Sequence, residues 1–451
     1  MTVIHAETAL LPQGLRRDVR IVLSGGVIDS VEAGAAAQAG DERHRFVLPA
    51  MPNLHSHAFQ RAMAGLAETR GRGEDSFWSW RTVMYRFALS MTPDHVEAVA
   101  AQLYMEMLEA GFGRVGEFHY LHHDADGGAY ADPAEMAARI AAASAEAGIG
   151  LTLLPVFYAH SGFGAAAPAE GQRRFIHDLD GFARLMRRAR EIVSSLPGGR
   201  LGIAPHSLRA VAPDELAAIL PLAGGGPVHI HAAEQVREVE DCLAWSGARP
   251  VEWLLENAPV DARWCLIHAT HMTGRESRAL GASGAVAGLC PITEANLGDG
   301  IFDAPTFLAA GGRFGVGSDS NIRIALDEEL RTLEYTQRLS RRSRNVVAEP
   351  GGSTGLALFS HALQGGAQAL GVPAGIAAGG PADLASLDLS AAPWLPAEQA
   401  LDHFVFAGGV GIDSVWVGGR REVEGGRHRR RDAIAARFNA AMADLIARQP
   451  G

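Results

Sequence analysis

The sequence predicts an α/β protein: a (β/α)8 TIM barrel with a small flanking β-sandwich domain built from both chain ends. Eight apolar runs alternate with helical stretches through the middle of the chain, and short strand-like segments lie near both termini. Polar residues able to do chemistry follow several of the apolar runs, where such barrels carry their active sites. An open doubly wound sheet is the alternative, but no glycine-rich turn follows the first run.

The terminal segments have the pattern of β-hairpins. Val19–Leu23 and Val27–Val31 are mainly apolar and flank the turn-forming pair Gly25 and Gly26. A similar pattern returns at 382–387 and 414–420, so we expect the two chain ends to pair in one small β domain. The predicted domains are a small β domain of residues 1–48 and 376–430, a catalytic barrel of residues 49–375 and a C-terminal helical segment of residues 431–451.

The eight apolar runs between these ends predict the strands of the barrel. The runs end near His55, His119, Phe157, His206, His231, His268, Cys290 and Asp319. Parallel strands joined by helices place all their carboxyl ends on one face, so we expect the polar residues among these to converge.

The phrase "NLHSH", residues 53–57, indicates a metal site. Residues i and i+2 of a strand point to the same side, so the imidazoles of His55 and His57 can reach one point in space. Histidines from the fifth and sixth runs and Asp319 after the eighth can join them, leaving a position open for water. Spacing alone does not choose between His229 and His231. We expect one divalent metal ion, zinc in the first place and ferrous iron as the alternative.

Composition excludes several classes of function. No apolar stretch approaches a membrane span and no signal peptide begins the chain, so a cytoplasmic protein with no membrane partner is expected. The three cysteines are widely spaced, which predicts reduced thiols. A net charge of −11 disfavours nucleic-acid binding, and we interpret the basic run at 427–431 as a solvated surface.

All 40 basic residues are arginine. The absence of lysine excludes Schiff-base chemistry, pyridoxal-phosphate attachment and a carbamylated lysine that bridges two metals. A single-metal site is therefore the better interpretation.

The motifs together resemble the amidohydrolase superfamily. "HSH" follows the first run, "HAAE" the fifth and "SDS" the eighth, and His268 ends the sixth. The longer phrases "NLHSHAFQRAMAGL", "SFWSWR", "EFHYLHH", "APHSLRAV", "HIHAAEQ", "CPITEANLGDG" and "GSDSN" are similar to those of formimidoylglutamate deiminases in particular. The resemblance covers nearly the whole chain.

The resemblance implies a role for each motif. The implied metal ligands are His55, His57, His231 and Asp319, with His229 left as a core residue or a support for the ligands. The implied catalytic residues are Glu234, His268 and Asp319. Asp319 would also accept a proton from water, Glu234 would carry protons between water, substrate nitrogen and departing ammonia, and His268 would polarise the substrate or stabilise the tetrahedral intermediate.

The implied substrate, N-formimino-L-glutamate, carries two carboxylates, which arginine recognises through paired hydrogen bonds. Arg81 and Arg209 are the candidates, and Gln60, Tyr120 and His206 match the family's remaining substrate contacts. The sequence leaves open which arginine takes which carboxylate, and whether Arg81 serves its own chain or a neighbour in an expected homodimer.

Two alternatives to a deiminase of histidine degradation remain. An aminohydrolase acting on a nucleobase or similar ring would need aromatic stacking and has little use for two arginines. A non-catalytic metal-binding protein would leave Glu234 and His268 without a role.

Overall fold

The computed structural model describes residues 1–70 and 77–448, so Gly71–Ser76 and the last three residues of the expected 431–451 segment lie outside the described residues. The strands are β1 Thr2–Leu11, β2 Gly14–Ser24, β3 Val27–Ala33, β4 Glu42–Pro49, β5 Met51–Ser56, β6 Phe112–His119, β7 Gly150–Phe157, β8 Arg200–Leu201, β9 Ala204–Pro205, β10 Val228–Ala232, β11 Trp264–His268, β12 Val286–Leu289, β13 Arg313–Val316, β14 Leu384–Asp388, β15 Gly411–Val417, β16 Arg420–Glu424 and β17 Arg427–His428.

Helices occupy most of the intervening chain. They are α1 Phe77–Ser90, α2 Pro93–Glu109, α3 Glu135–Ala147, α4 Leu179–Ser194, α5 Pro213–Ile219, α6 Val236–Ser246, α7 Pro250–Asn257, α8 Gly274–Ser283, α9 Pro291–Leu297, α10 Ala304–Ala309, α11 Leu326–Arg341, α12 Thr354–Ala369, α13 Ala400–Phe406 and α14 Arg431–Ala447. None of the helices within 1–70 and 77–448 is long and apolar enough to cross a bilayer.

Both chain ends contribute to one eight-stranded sheet. Its order is β17-β16-β15-β14-β4-β1-β2-β3, so four strands come from each end of the chain. The hairpin predicted around Gly25 and Gly26 is present as β2 and β3. A small core of its own, which includes Ile21, Leu384 and Trp416, packs on this sheet. The pairing of the two chain ends is confirmed.

Each of the eight predicted apolar runs contains or adjoins a strand of a parallel sheet. One sheet contains β5, β6, β7 and β8, with β9 paired to β7, and the other runs β10-β11-β12-β13. Parallel bridges join the two sheets at both edges: Ile203 with Val228 and Ser207 with His231 on one side, and Ser56 with Asp319 on the other. All carboxyl ends of these strands therefore face the same way.

Helix boundaries follow local chemistry. Thr92 begins α2 with a capping box that it forms with His95, and Asp178 begins α4 by accepting from the backbone of Gly181. Gly148 ends α3 at φ 83°, a left-handed conformation that costs glycine least. These caps set where α2 and α4 begin and where α3 ends.

Helix α12 packs unusually close to the parallel strands. A Cβ on Gly365 would lie 1.9 Å from the carbonyl oxygen of Phe314 in β13, so only glycine permits this approach. The contact places α12 against the strand that leads to Asp319.

Gly365→Ala should therefore destabilise the protein. The new Cβ and the carbonyl oxygen of Phe314 are both fixed by the backbone, so neither can turn away from the other. We expect the free energy of unfolding to fall by about 1–3 kcal/mol, measured as a lower Tm. The control is Gly274→Ala at the start of α8, where the new Cβ would meet only the flexible end of Arg278 at 3.4 Å. Equal Tm values for the two variants would contradict this packing argument.

Candidate metal centre and active site

Four side chains converge where β5, β10 and β13 end. They are His55, His57, His231 and Asp319, and one ligand atom from each lies within 4.8 Å of all the others. All four side chains are buried. The set is the one that the resemblance implied.

The four groups are close enough to share one ion. The Nε2 of His55 lies 3.2 Å from the Nε2 of His57 and 3.2 Å from the Nε2 of His231. The Oδ1 of Asp319 lies 3.1 Å from the Nε2 of His57 and 3.4 Å from that of His55. Three imidazoles and one carboxylate therefore surround a single point.

Hydrogen bonds at Nδ1 determine which nitrogen of each imidazole faces that point. The Nδ1 of His57 donates to the carbonyl of Phe118 at 3.0 Å, and the Nδ1 of His231 donates to the carbonyl of His206 at 2.9 Å. A neutral imidazole then carries a bare lone pair on Nε2. Both lone pairs face the cluster.

The lone pairs that face the cluster are not removed by protonation of the imidazoles of His55 and His231. Burial lowers the pKa of His55 to about 3 and holds the pKa of His231 well below its ordinary value, so both rings are neutral at pH 7. A divalent cation accepts three imidazole nitrogens and a carboxylate oxygen in this arrangement. The residues present therefore fit the implied metal.

His229 lies outside this cluster. It is fully buried two residues before His231 in β10, and its Nε2 donates to the carbonyl of Ala369 at 2.7 Å. The choice that spacing left open is thus made by depth along the strand, since only His231 reaches the carboxyl end.

Two further candidates stand beside the metal cluster. Glu234 Oε1 lies 3.9 Å from the Nε2 of His268, and the same nitrogen lies 3.8 Å from Asp319 Oδ2. Burial alone lowers the pKa of His268, but the charge of Glu234 and a hydrogen bond to Glu294 outweigh it and raise this pKa to about 10. The arrangement can pass a proton between a carboxylate and an imidazole next to the cluster.

The resemblance did not assign the residue that holds His268. Glu294 accepts from the Nδ1 of His268 at 3.2 Å and from the backbone of Cys290 at 2.9 Å. This bond turns the Nε2 of His268 towards Glu234. The signal was present in "CPITEANLGDG", but only the fold brings this carboxylate to the imidazole.

A second supporting carboxylate follows Glu234 by four residues. Glu238 accepts from the backbone nitrogens of Ala233 and Glu234 at 3.2 and 3.1 Å. It therefore fixes the turn that points Glu234 into the site. A carboxylate at this spacing within the first turn of α6 could have been recognised from the sequence.

The backbone is strained at these strand ends. Ala233, His268 and Asp319 have φ values of 53°, 68° and 45°, in a left-handed region that non-glycine residues rarely adopt. Such conformations persist where surrounding contacts enforce them, and they cluster at functional sites. Here they turn side chains from three different strands towards one point.

A pocket of about 530 Å³ opens above the cluster. It is lined by all five predicted substrate residues, Gln60, Arg81, Tyr120, His206 and Arg209. Arg81 lines the pocket from α1 of the same chain. Arg209 is mostly buried, and its Nη2 lies 3.4 Å from Glu234 Oε2.

The pocket wall also contains aromatic rings. Gln60 donates to the hydroxyl of Tyr120 at 2.7 Å, which leaves the buried Oε1 of Gln60 without a partner among the described residues. Arg81 lies over the rings of Trp78 and Tyr85, at 5.8 and 5.2 Å from their centroids. The rings restrict where each cation can point.

Comparison with known families agrees with this geometry. A model described as the amidohydrolase family matches residues 46–421. A second model, described as the N-terminal domain of the formimidoylglutamate deiminase HutF, matches residues 1–45.

Individual relatives cover nearly the whole chain. A formimidoylglutamate deiminase of Pseudomonas aeruginosa is 51% identical over 454 residues, which cover 99% of this chain and 100% of the relative. A 5-methylthioadenosine/S-adenosylhomocysteine deaminase of Natronomonas pharaonis is 27% identical and covers 95% and 93%. The crystal structure of an amidohydrolase from Brucella melitensis has a TM-score of 0.98 at 59% identity and covers 99% and 100%. An adenosine deaminase from Xanthomonas campestris with bound zinc has a TM-score of 0.81 at 21% identity and covers 99% and 98%, a likeness of fold alone.

Elemental analysis should find one divalent ion per chain in active protein. His231→Gln should lose that ion, because one of the four converging ligands is gone. The matched control is His229→Gln in the same strand, which should keep the metal because the imidazole of His229 lies outside the cluster and donates to the carbonyl of Ala369. Two ions per active chain, or equal metal loss in both variants, would overturn the single-site assignment.

Proposed function

The chain belongs to the amidohydrolase family, and we propose that it is a formimidoylglutamate deiminase, which hydrolyses N-formimino-L-glutamate to N-formyl-L-glutamate and ammonia in histidine degradation. One observation carries the choice of substrate: Arg81 and Arg209 line the same pocket as the metal cluster and the Glu234–His268 pair. A substrate with two carboxylates and one electrophilic carbon fits such a pocket.

We propose zinc as the metal, with ferrous iron as the alternative, held by His55, His57, His231 and Asp319. When bound, such an ion lowers the pKa of a water molecule from ~15.7 towards ~7 and so supplies a nucleophile at neutral pH. A histidine-rich set with one carboxylate suits either ion.

The residues beside the metal ligands handle the protons. Water adds to the formimino carbon, and both of its protons end on the departing nitrogen: Asp319 and Glu234 take them up in turn, and Glu234 delivers them as the imino nitrogen becomes ammonia. His268, held by Glu294, faces Glu234 with its Nε2 and stabilises negative charge on the tetrahedral intermediate. The C–N bond to ammonia breaks as the new carbonyl forms.

The substrate is held at its other end by charge. Arg81 and Arg209 bind the two carboxylates, while Gln60, Tyr120 and His206 offer neutral hydrogen-bonding groups along the chain between them. Holding both carboxylates fixes the formimino carbon over the cluster, which lowers the entropy cost of reaction.

A ring aminohydrolase is the second candidate. The aromatic lining of the pocket, with Phe77, Trp78 and Tyr120 among its rings, would suit a stacked base, and a relative named as a deaminase of methylthioadenosine is 27% identical. Two arginines favour the dicarboxylate instead. A non-catalytic metal-binding protein would give no role to Glu234 and His268.

We further propose that the two parallel sheets form one closed (β/α)8 barrel of residues 49–375, and that residues 1–48 and 376–430 form a flanking β-sandwich domain followed by a helical segment at 431–451. The bridges at both sheet edges and the separate small core support this division. We also propose a cytoplasmic homodimer with no nucleic-acid partner. The three free cysteines support the cytoplasmic location, and the net charge of −11 supports the absence of a nucleic-acid partner.

Glu234→Gln should keep the metal but lose most turnover, because an amide cannot carry protons. We expect kcat to fall roughly 100- to 10,000-fold with normal metal content. Glu240→Gln, on the exposed side of α6, is the matched control and should retain wild-type kcat. A near-normal kcat in Glu234→Gln would remove this residue from the mechanism.

Arg209→Met should reduce kcat/KM sharply without emptying the metal site. Losing one buried charge-assisted contact costs ~2 to 5 kcal/mol, or roughly 30-fold to several thousandfold in rate. The control is Arg237→Met, whose side chain is 66% exposed at the pocket rim and which should change kcat/KM by less than about threefold.

Ammonia release decides between the two candidate functions. We expect the metal-loaded wild type to release ammonia from N-formimino-L-glutamate and not from cytosine, guanine or methylthioadenosine. Release from a ring compound alone would establish the second candidate, and wild-type efficiency in Arg209→Met would exclude Arg209 from substrate binding.

A further inference from the structure

Tyr158 is a pocket residue to which neither the motifs nor the mechanism gives a role. It directly follows β7, its side chain is 3% exposed, and it lines the cavity above the metal cluster. Its ring packs on His206, with centroids 4.5 Å apart, and on Phe175 at 5.9 Å. The position of its hydroxyl is therefore well defined.

Two donors already use the oxygen of this hydroxyl. The Nη2 of Arg81 donates to it at 2.9 Å, and the Nε2 of Gln172 donates to it at 2.7 Å. The amide of Gln172 cannot be reversed, because its Oε1 accepts from the backbone of Ala169 at 2.7 Å. Neither a guanidinium nor this amide nitrogen can accept a proton in return.

The proton of the Tyr158 hydroxyl is thus left to donate elsewhere. A phenol oxygen has two lone pairs and one hydrogen, and both lone pairs are occupied by Arg81 and Gln172. Throughout residues 1–70 and 77–448, no side chain or backbone group forms a hydrogen bond as acceptor from this hydroxyl. The remaining direction is the pocket.

Arg81 has a matching requirement. Within the described ranges it forms no ion pair with a carboxylate. It forms hydrogen bonds with the hydroxyls of Tyr158 and Tyr85 and lies over the faces of Trp78 and Tyr85. A cation in a partly buried pocket gains most from an anion that enters with the ligand. Arg81 and Tyr158 therefore present adjacent donors to the same space.

We infer that Tyr158 donates its hydroxyl proton to the substrate carboxylate that Arg81 binds, with Gln172 positioning the hydroxyl. The inference rests on the proposed function and deepens it. It makes one carboxylate subsite a pair of Arg81 and Tyr158, separate from the subsite of Arg209. Specificity for that carboxylate then depends on a neutral donor as well as on a cation.

The test is Tyr158→Phe, which removes only the hydroxyl and keeps the ring packing. A lost hydrogen bond to a charged group should lower kcat/KM on N-formimino-L-glutamate roughly 10- to 100-fold, mainly through a higher KM. Tyr130→Phe is the matched control, because Tyr130 does not line the pocket and its hydroxyl accepts from Arg174 at 3.5 Å. Wild-type efficiency in Tyr158→Phe would overturn the inference.

Two truncated substrates identify the subsite. N-formimino-L-glutamine lacks the side-chain carboxylate, and N-formimino-4-aminobutanoate lacks the α-carboxylate. With one of them, and the same one for both variants, the penalties of Tyr158→Phe and Arg81→Met should shrink to about threefold or less. The penalty of Arg209→Met should persist with that compound and shrink with the other. If turnover of the truncated compounds is too slow, their Ki values as competitive inhibitors give the same comparison.

The remaining outcomes are distinct. Equal penalties of Tyr158→Phe on all three compounds would mean a general structural effect and would overturn the inference while leaving the function intact. A wild type that releases no ammonia from N-formimino-L-glutamate would refute the proposed function and the Arg81–Tyr158 subsite together. If Tyr158→Phe has a lowered Tm, Gln172→Met serves as the second variant and should show the same dependence on the substrate carboxylate.

Discussion

At the ends of three strands, four side chains direct lone pairs at one point, and the rest of the structure holds these side chains in position. His57 and His231 each donate their Nδ1 proton to a backbone carbonyl, so both present a bare Nε2 to the point that His55 and Asp319 also face. Hydrogen bonds within the cluster cannot satisfy all of these acceptors, because burial lowers the pKa values of His55 and His231 and keeps these two rings neutral. A bound cation would resolve this conflict, and the hydrogen bonds made by the ligands hold the four groups in position for it.

That architecture pays in backbone strain. Residues with positive φ stand at the ends of β10, β11 and β13, and side-chain hydrogen bonds hold the turns at the ends of β10 and β13. Glu238 accepts from the turn before Glu234, while Asn53 accepts from the backbone of Ser318 at 3.1 Å, next to Asp319. The strained turns are therefore fixed by side-chain hydrogen bonds, which lets three separate strands aim at one point with little freedom.

The sequence predicted what depends on period and order along the chain. The two-residue spacing of His55 and His57 follows from strand geometry, and eight apolar runs followed by polar residues predict parallel strands with a common active end. Contacts between residues far apart in the chain could not be predicted from the sequence. Glu294 meets His268 only because α9 and β11 lie side by side, and the Gln172 amide reaches Tyr158 from a loop 14 residues further on. Glu294 lies in the phrase "CPITEANLGDG", but its sequence position does not show that it meets His268, and a lone glutamine such as Gln172 is ordinary anywhere on a surface.

Arginines line the pocket although the chain as a whole is negatively charged. The net charge is −11, which on its own would repel a dicarboxylate, yet Arg81 and Arg209 line the one cavity that contains the candidate catalytic groups in the described chain. Surface charges more than about 8–10 Å away are largely screened at physiological ionic strength, whereas charges in a pocket with aromatic walls are screened much less. Near the metal cluster, Glu234 opposes Arg209 at 3.4 Å until a substrate carboxylate arrives. A carboxylate that binds Arg209 competes with Glu234 for the same cation, so substrate binding would free Glu234 to face the reacting nitrogen.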